Sequence, residues 1–114
     1  MHQAREKEIV IYADRNGFRP WVEWLAHVKD QTARARILVR IKRLKQGNYG
    51  DCKSIGEGVF ELRLFFGPGY RVYFGELEGH IVLLLCGGDK TSQAKDIKQA
   101  VALWREYHDR LGNP

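Results

Sequence analysis

Arginine side chains stand inside two neighbouring apolar runs of the chain, and we expect its chemistry there. Arg63 lies within residues 59–66, and Arg71 lies within residues 70–74. In a strand that buries one face, an arginine side chain lies on the opposite face, and we expect it to have a function there. Guanidinium groups are always charged and bind two oxygens at once, so a pair of them is suited to holding a phosphate.

Cleavage of RNA without a metal ion is one reaction that such groups can perform. The 2′-hydroxyl attacks the adjacent phosphate, which requires a base for that hydroxyl, cations for the charge that develops, and an acid for the leaving 5′-oxygen. Arg63 and Arg71 would supply the cations. Lys90 would add another cation or act as the acid, and Glu61 and Lys53 are candidate bases. Lys53 is also a candidate RNA-binding residue.

The same strands also admit other roles for these side chains. Arg63 could pair with Glu61 or Glu76 on a neighbouring strand, as an ordinary surface ion pair. Tyr70 or Tyr73 could stack on a nucleotide base or orient it. The sequence leaves both alternatives open.

Positive charge is concentrated in one segment. The chain has a formal net charge of +5, and residues 34–45 include six basic residues and no acidic one. On a helical wheel Arg36, Arg40 and Arg43 share one stripe, beside an apolar stripe. That apolar stripe consists of Ile37, Leu38, Ile41 and Leu44. The arginine ridge predicts a surface for RNA, or alternatively for an acidic protein segment.

Length and composition predict one soluble domain spanning residues 1–114. The hydrophobic fraction is 44% and the charged fraction 29%, as in ordinary globular proteins. No apolar run approaches the roughly 20 residues that a membrane helix needs. Residues 1–8 are charged and lack a signal-peptide core, so we expect a cytoplasmic protein without a membrane partner. The two cysteines, Cys52 and Cys86, are expected to be free thiols.

The periodicity predicts an α+β fold in the order β-α-α-β-β-β-α. The first strand is residues 9–12, and a helix follows from Pro20, with Trp21, Trp24, Leu25 and Val28 facing the core rather than stacking on bases. A second helix is expected from Thr32, as its cap, to about Gln46, with Gly47 as its stop.

Three antiparallel strands and a last helix are expected to complete the domain. Short turns at residues 67–69 and 76–79 join the strands, and the run 81–85 is apolar throughout, as in a strand buried on both faces. The last helix begins near Thr91 and packs an apolar stripe on the sheet. That stripe consists of Ile97, Val101, Trp104 and Leu111. There is no Walker loop, dinucleotide fingerprint or Cys/His cluster, so we expect neither a metal nor a cofactor.

Three pieces of this sequence together resemble a known family. They are Gly-Val-Phe-Glu-Leu-Arg at 58–63, Gly-Tyr-Arg-Val-Tyr-Phe at 69–74, and Leu-Leu-Leu-Cys-Gly-Gly-Asp-Lys-Thr-Ser-Gln at 83–93, followed by Asp-Ile-Lys-Gln-Ala at 96–100. In this order they are similar to the addiction-module killer proteins, the HigB-like branch of the RelE/ParE toxin superfamily. The resemblance extends over nearly the whole chain, from the first strand to the last helix.

The resemblance implies a RelE-like fold and the toxin of a type II toxin-antitoxin system. Such a toxin is neutralised by an antitoxin from the same operon, often a helix-turn-helix protein. Most characterised relatives cleave mRNA on the ribosome and arrest translation, whereas the ParE branch inhibits DNA gyrase without cleaving RNA. The alternative function is therefore non-enzymatic inhibition of gyrase or of another protein.

The resemblance also suggests roles for individual residues. Arg71 matches the phosphate-binding arginine of the family, while Arg63 and Lys90 match basic positions on the preceding strand and after the last strand. The chain departs from the RelE branch at two positions. Glu61 stands where that branch has lysine, and Asp96 stands where it has tyrosine, so the general base and the stacking group stay open.

Overall fold

The computed structural model describes residues 6–112, which form a five-stranded sheet with three helices. In chain order the elements are β1 (Glu8–Ile11), α1 (Pro20–His27), α2 (Gln31–Lys45), β2 (Cys52–Gly56), β3 (Val59–Leu64), β4 (Tyr70–Leu77), β5 (Ile81–Gly88) and α3 (Gln93–Gly112), with a 3₁₀ turn at Lys90–Ser92. The α+β class predicted from the sequence is confirmed. Residues 1–5 of the N-terminal segment discussed above lie outside the described range.

The predicted element order is wrong by one strand, because β2 precedes the expected meander. β2 pairs with β3 in antiparallel register, with Gly56 opposite Val59. The two residues between them, Glu57 and Gly58, both have positive φ, at 58° and 89°. A two-residue hairpin turn with this geometry matches the right-handed twist of the strands it joins. The observed order is therefore β-α-α-β-β-β-β-α.

The sheet is mixed, whereas an antiparallel sheet was predicted. Its strand order is β1-β5-β4-β3-β2, and β1 lies parallel to β5 while the other pairs are antiparallel. The helices α1 and α2 carry the chain from one edge of the sheet to the other, and the strands then return to β1. This places β5 inside the sheet, and its residues Val82–Leu85 are buried, as predicted.

Helices α1 and α2 cover one face of the sheet. Trp21, Ile37 and Leu44 pack there against Leu62, Phe74 and neighbouring residues of the strands. Two details differ from the prediction. The cap of α2 is Asp30, whose carboxylate accepts the amides of Thr32 and Ala33, and Leu38 is 51% exposed rather than part of the core. The end of α2 at Lys45, before Gly47, is as predicted.

Helix α3 covers part of the opposite face. Ala100 and Trp104 pack against Tyr73, Leu83 and Leu85, while the predicted stripe residue Leu111 is 61% exposed. The two cysteines belong to different faces: Cys52 contacts the α1–α2 core, Cys86 lies in the α3 core, and both are free thiols. Within residues 6–112, no helix is both long and apolar enough to cross a bilayer.

Candidate active site

The two strand arginines lie side by side on the face that α3 only partly covers. Arg63 on β3 is directly opposite Arg71 on β4, and Arg71 is in turn opposite Gly88 on β5. Residues opposite one another in a ladder share a face, and like charges in such a pair repel. An anion between them would therefore stabilise this arrangement.

Glu61 supplies that anion from the preceding position of the same face. Its side chain is 1% exposed, and its Oε1 lies 3.1 Å from Arg63 Nε and 3.9 Å from Arg71 Nε. The other oxygen, Oε2, accepts hydrogen bonds from the Tyr73 hydroxyl at 3.0 Å and from Gln93 Nε2 at 2.8 Å. The carboxylate is thus enclosed by donors from two strands and from the start of α3.

These donors determine the protonation state of Glu61. Burial by itself would raise the pKa of the carboxyl, but hydrogen bonds from Gln93, Arg63 and Tyr73 and the charge of Arg71 hold that pKa below its ordinary value. Glu61 is therefore ionised at neutral pH. Because both of its oxygens are occupied and it is buried, its surroundings do not favour the predicted role of general base, which requires contact with a substrate hydroxyl.

Arg71 retains unused hydrogen-bonding capacity inside the cluster. Its side chain is 8% exposed, and Nη1 donates to the carbonyl of Gly69 at 3.0 Å. Its buried Nε finds no hydrogen-bond acceptor among residues 6–112. A buried donor without a partner costs on the order of 1–3 kcal/mol, and an anionic ligand would recover that cost.

Lys90 lies near Arg71, at the start of the 3₁₀ turn, where Asp89 caps the turn. The Asp89 carboxylate accepts the Thr91 hydroxyl and the amides of Thr91 and Ser92, and the Thr91 hydroxyl is the main cause of a lowered Asp89 pKa. A Cβ placed on Gly69 would stand 3.3 Å from Arg71 Nη1 and 3.4 Å from the Cβ of Lys90. The Lys90 stem and the Arg71 guanidinium therefore converge on Gly69, and Lys90 is exposed.

The surroundings of Tyr73 do not favour its predicted role in binding RNA. Its side chain is fully buried beneath α3 and donates its hydroxyl to Glu61, so no base can stack on the ring. Burial and the neighbouring Glu61 carboxylate raise the Tyr73 pKa, which keeps the hydroxyl protonated as a donor. Tyr70, the other candidate, packs on the α1–α2 side against Trp24 and Phe66.

Lys53 is the remaining predicted base, and it is available to solvent. It lies on β2 directly opposite Glu61, which places both residues on the same face of the sheet. Unlike Glu61, Lys53 is exposed. The open corner of this face thus carries Lys53, Arg63 and Lys90 around the buried pair Glu61 and Arg71.

Two polar residues of the site were not assigned roles from the sequence. Gln93 donates to Glu61, and the buried Asp96 accepts a hydrogen bond from the Ser92 hydroxyl. A Cβ on Gly88 would overlap Asp96 Oδ2, so the glycine makes room for this carboxylate. The signal that could have identified Gln93 is its place at the end of the Asp-Lys-Thr-Ser-Gln segment.

The arginine ridge of α2 lies on the other side of the sheet from this cluster, and its three members differ. Arg36 lies 5.0 Å from the centre of the Phe66 ring, and Arg43 is exposed. Arg40 instead donates to the carbonyls of Arg63 at 2.7 Å and Tyr49 at 3.2 Å, so it ties α2 to the strands.

The fold and the site together define a class of protein: a small α+β protein whose mixed sheet carries a buried glutamate between two arginines, beside the start of its last helix. Within residues 6–112 no group of His, Cys, Asp and Glu could hold a metal ion. No known family model matches the chain.

A comparison of sequences identifies a relative of this chain and with it the family. The chain is 55% identical over 83 residues to an uncharacterized protein of Haemophilus influenzae, a match that covers 73% of this chain and 84% of that protein. The chain belongs to the same protein family as this H. influenzae protein.

Proposed function

We propose that the protein is the toxin of a type II toxin-antitoxin system, with a RelE-like fold and the activity of a ribosome-dependent mRNA endonuclease. The observation that carries the proposal is the buried Arg71, held against Glu61 with an Nε donor that has no hydrogen-bond acceptor in the described part of the chain. Arg63 and Lys90 adjoin it on the open part of the same face. Arg71, Arg63 and Lys90 thus bring three positive charges to this part of the face, where a phosphate could bind.

In this proposal the arginines bind the scissile phosphate and stabilise the charge that develops on it. The 2′-oxygen forms a bond to phosphorus and loses its proton, while the bond from phosphorus to the 5′-oxygen breaks and that oxygen gains a proton. Guanidinium groups fixed in advance are effective here because they need not reorganise during the reaction. Glu61 holds Arg63 and Arg71 in place and is a positioning residue rather than a base.

The proton transfers fall to the exposed lysines. Lys90, beside the arginines, would protonate the leaving oxygen, and Lys53, across the ladder from Glu61, is the candidate for accepting the proton of the 2′-hydroxyl.

The proposed partners follow from the same activity. They are mRNA on the ribosome and an antitoxin from the same operon, a helix-turn-helix protein by the family resemblance, and the proposed location is the cytoplasm. The net charge of +5 supports a polyanionic partner.

The test is to produce the protein in a bacterial host and to map mRNA 5′-ends within minutes. We expect new cuts inside translated regions, in phase with codons, which disappear with Arg71→Ala. The matched control is Arg15→Ala, which removes an arginine whose side chain is 70% exposed, away from the cluster. Circular dichroism and thermal melting would verify that both variants fold.

Two outcomes would contradict the proposal. Growth arrest without mRNA cuts, accompanied by a DNA-damage response, would favour inhibition of gyrase. Cuts that persist at full strength in folded Arg71→Ala protein would remove the arginine cluster from the mechanism.

A further inference from the structure

Phe65 is the most exposed of the large apolar side chains in residues 6–112, and it follows the strand that carries Arg63. Its side chain is 75% exposed. Leu64 and Phe66, the residues on either side of it, both pack in the core beneath α1 and α2. Because successive side chains of an extended segment point to opposite sides, the ring of Phe65 points away from that core, as Arg63 does.

The turn after Phe65 leads directly to the buried arginine of the candidate active site. The amide of Gly69 donates to the carbonyl of Phe66 at 3.0 Å, which closes the turn, and Arg71 Nη1 donates to the carbonyl of Gly69. Arg63 precedes Phe65 by two residues, a distance of about 7 Å along a strand. The ring of Phe65 is therefore one nucleotide's reach from a phosphate held between Arg63 and Arg71.

Phe65 also lines a groove of about 420 Å³ between α2 and the end of β3. Arg36 and Arg43 line the same groove and are exposed, and α2 has no acidic residue from Gln31 to Lys45. The guanidinium carbon of Arg36 lies 5.0 Å from the centre of the Phe66 ring. Aromatic rings beside guanidinium groups are the components with which proteins bind single-stranded nucleic acid, because rings stack on bases and arginines pair with phosphates.

We infer that Phe65 is the stacking platform for an RNA base next to the bond that is cleaved, and that Arg36 and Arg43 bind phosphates of the strand as it continues into the groove. This role of Phe65 rests on the proposed function, because it takes a phosphate at Arg71 as the starting point. Every base has a π-face, so the contact tightens binding without selecting one base. An acidic protein segment would pair with the arginines but would leave the Phe65 ring without a stacking partner.

The probe for this contact is a fluorescein-labelled oligoadenylate of about six nucleotides, a length that one small binding site accommodates. Its partner is the same oligonucleotide with the central bases removed, which keeps every phosphate and loses only the rings. A glutamate polymer of equal charge tests whether negative charge alone is sufficient. Binding to the intact protein is measured by fluorescence anisotropy over a range of salt concentrations.

We expect the intact oligonucleotide to bind about tenfold more tightly than the abasic one, as the loss of a stacked base predicts. Phe65→Leu keeps an apolar side chain without a ring and should abolish this difference, whereas Phe65→Tyr should retain it. The matched control is Phe18→Leu, which removes a ring that is 44% exposed in the segment after the edge strand β1. It should leave the affinity within about twofold. Because Phe65 is largely exposed, its variants should melt within about 2 °C of wild type.

The arginines of the groove have a separate readout in the salt dependence of binding. Each phosphate contact on a single strand contributes about 0.7 to the slope of log affinity against log salt concentration. Replacing Arg36 and Arg43 together by glutamine should therefore reduce this slope by about 1.4. An unchanged slope would remove both arginines from the path of the strand.

Three results would overturn the role of Phe65. They are an equal affinity of wild type for the intact and abasic oligonucleotides, including binding to neither; a preference for the intact one that persists in Phe65→Leu; and tighter binding of the glutamate polymer than of RNA. Failure of the proposed function has a different signature. If only the stacking is absent, mRNA cuts in phase with codons persist and still depend on Arg71, whereas base-dependent binding at Phe65 in a protein that makes no cuts removes the nuclease activity alone.

Discussion

Replacing Glu61 with glutamine removes the buried charge that holds the two arginines and changes the side chain little in size. Its Oε2 accepts from Tyr73 and Gln93, and Oε1 faces Arg63 and Arg71, so every neighbour is a donor. In either orientation the glutamine amide group would place an N–H donor against these donors. The variant therefore loses hydrogen bonds and leaves Arg71 buried without its counter-charge.

The expected loss of stability is about 3 kcal/mol. Hydrogen bonds from Tyr73 and Gln93 to a charged acceptor contribute about 1.5 kcal/mol each at the low end of the usual range. The pair with Arg63 adds little, because that arginine is 28% exposed and screened by water. The sum lies at the lower bound of what is lost when a buried ion pair is broken, about 3–5 kcal/mol.

Urea denaturation measures this loss directly. With a slope of about 2 kcal/mol per molar, the unfolding midpoint of Glu61→Gln should fall by about 1.5 M. Glu57→Gln is the control, since Glu57 pairs with Arg105 at 2.8 Å but both side chains are largely exposed. That change should cost less than about 1 kcal/mol. A Glu61→Gln loss no greater than that of the control would refute the assignment of Glu61 as the centre of the network.

Three further predictions concern other buried groups. Because the pKa of Glu61 is lowered in the folded state, the stability that its charge contributes is present above the ordinary pKa of a glutamate and is lost as the pH falls. The difference in the free energy of unfolding between wild type and Glu61→Gln, measured in urea, should therefore shrink below about pH 4. A difference that stays constant with pH would contradict this. Gly88→Ala should lower the melting temperature by several degrees, because the added Cβ would overlap the Asp96 side chain. Adding Asp96→Ala to this variant should restore part of the lost melting temperature. If it restores none, the overlap with Asp96 is not the cause of the loss. Burial raises the pKa of the buried Cys86 to about 12, and partial burial raises that of Cys52 to about 11. Iodoacetamide at mildly alkaline pH should therefore modify both thiols far more slowly in the folded protein than in denaturant, and equal rates in the two conditions would contradict the raised pKa values.

The central strands were predictable from sequence because alternation is a strong signal in them. Residues of β3 divide between the two faces as expected, with Leu62 and Leu64 in the α1–α2 core and Glu61 with Arg63 on the other side. Strand β2, with the sequence Cys-Lys-Ser-Ile-Gly, carries little apolar alternation. It is an edge strand held by its ladder to β3, and pairing of this kind is a tertiary effect.

Within the candidate site, the contacts of each side chain were harder to predict than the face of the sheet on which it lies. Alternation correctly placed Tyr73 on the face of Arg71, but whether a helix covers that part of the face depends on how α3 packs. The same packing brings Gln93 to Glu61, across 32 positions of sequence. Residue types therefore indicated an anion site, whereas the division between exposed lysines and enclosed Glu61 and Tyr73 required the three-dimensional arrangement.

The parallel pairing of β1 with β5 has a consequence for the order in which a growing chain can fold. Glu8 pairs with Ile81, so the first strand must wait until most of the chain has been synthesised. The hairpins of β2, β3, β4 and β5 have only short loops to close and can form before it, since local contacts cost less chain entropy. Until β1 docks, the free backbone edge of the apolar strand β5 can accept a strand from another molecule. During biosynthesis, the edge most exposed to mispairing is thus one that is sealed in the finished protein.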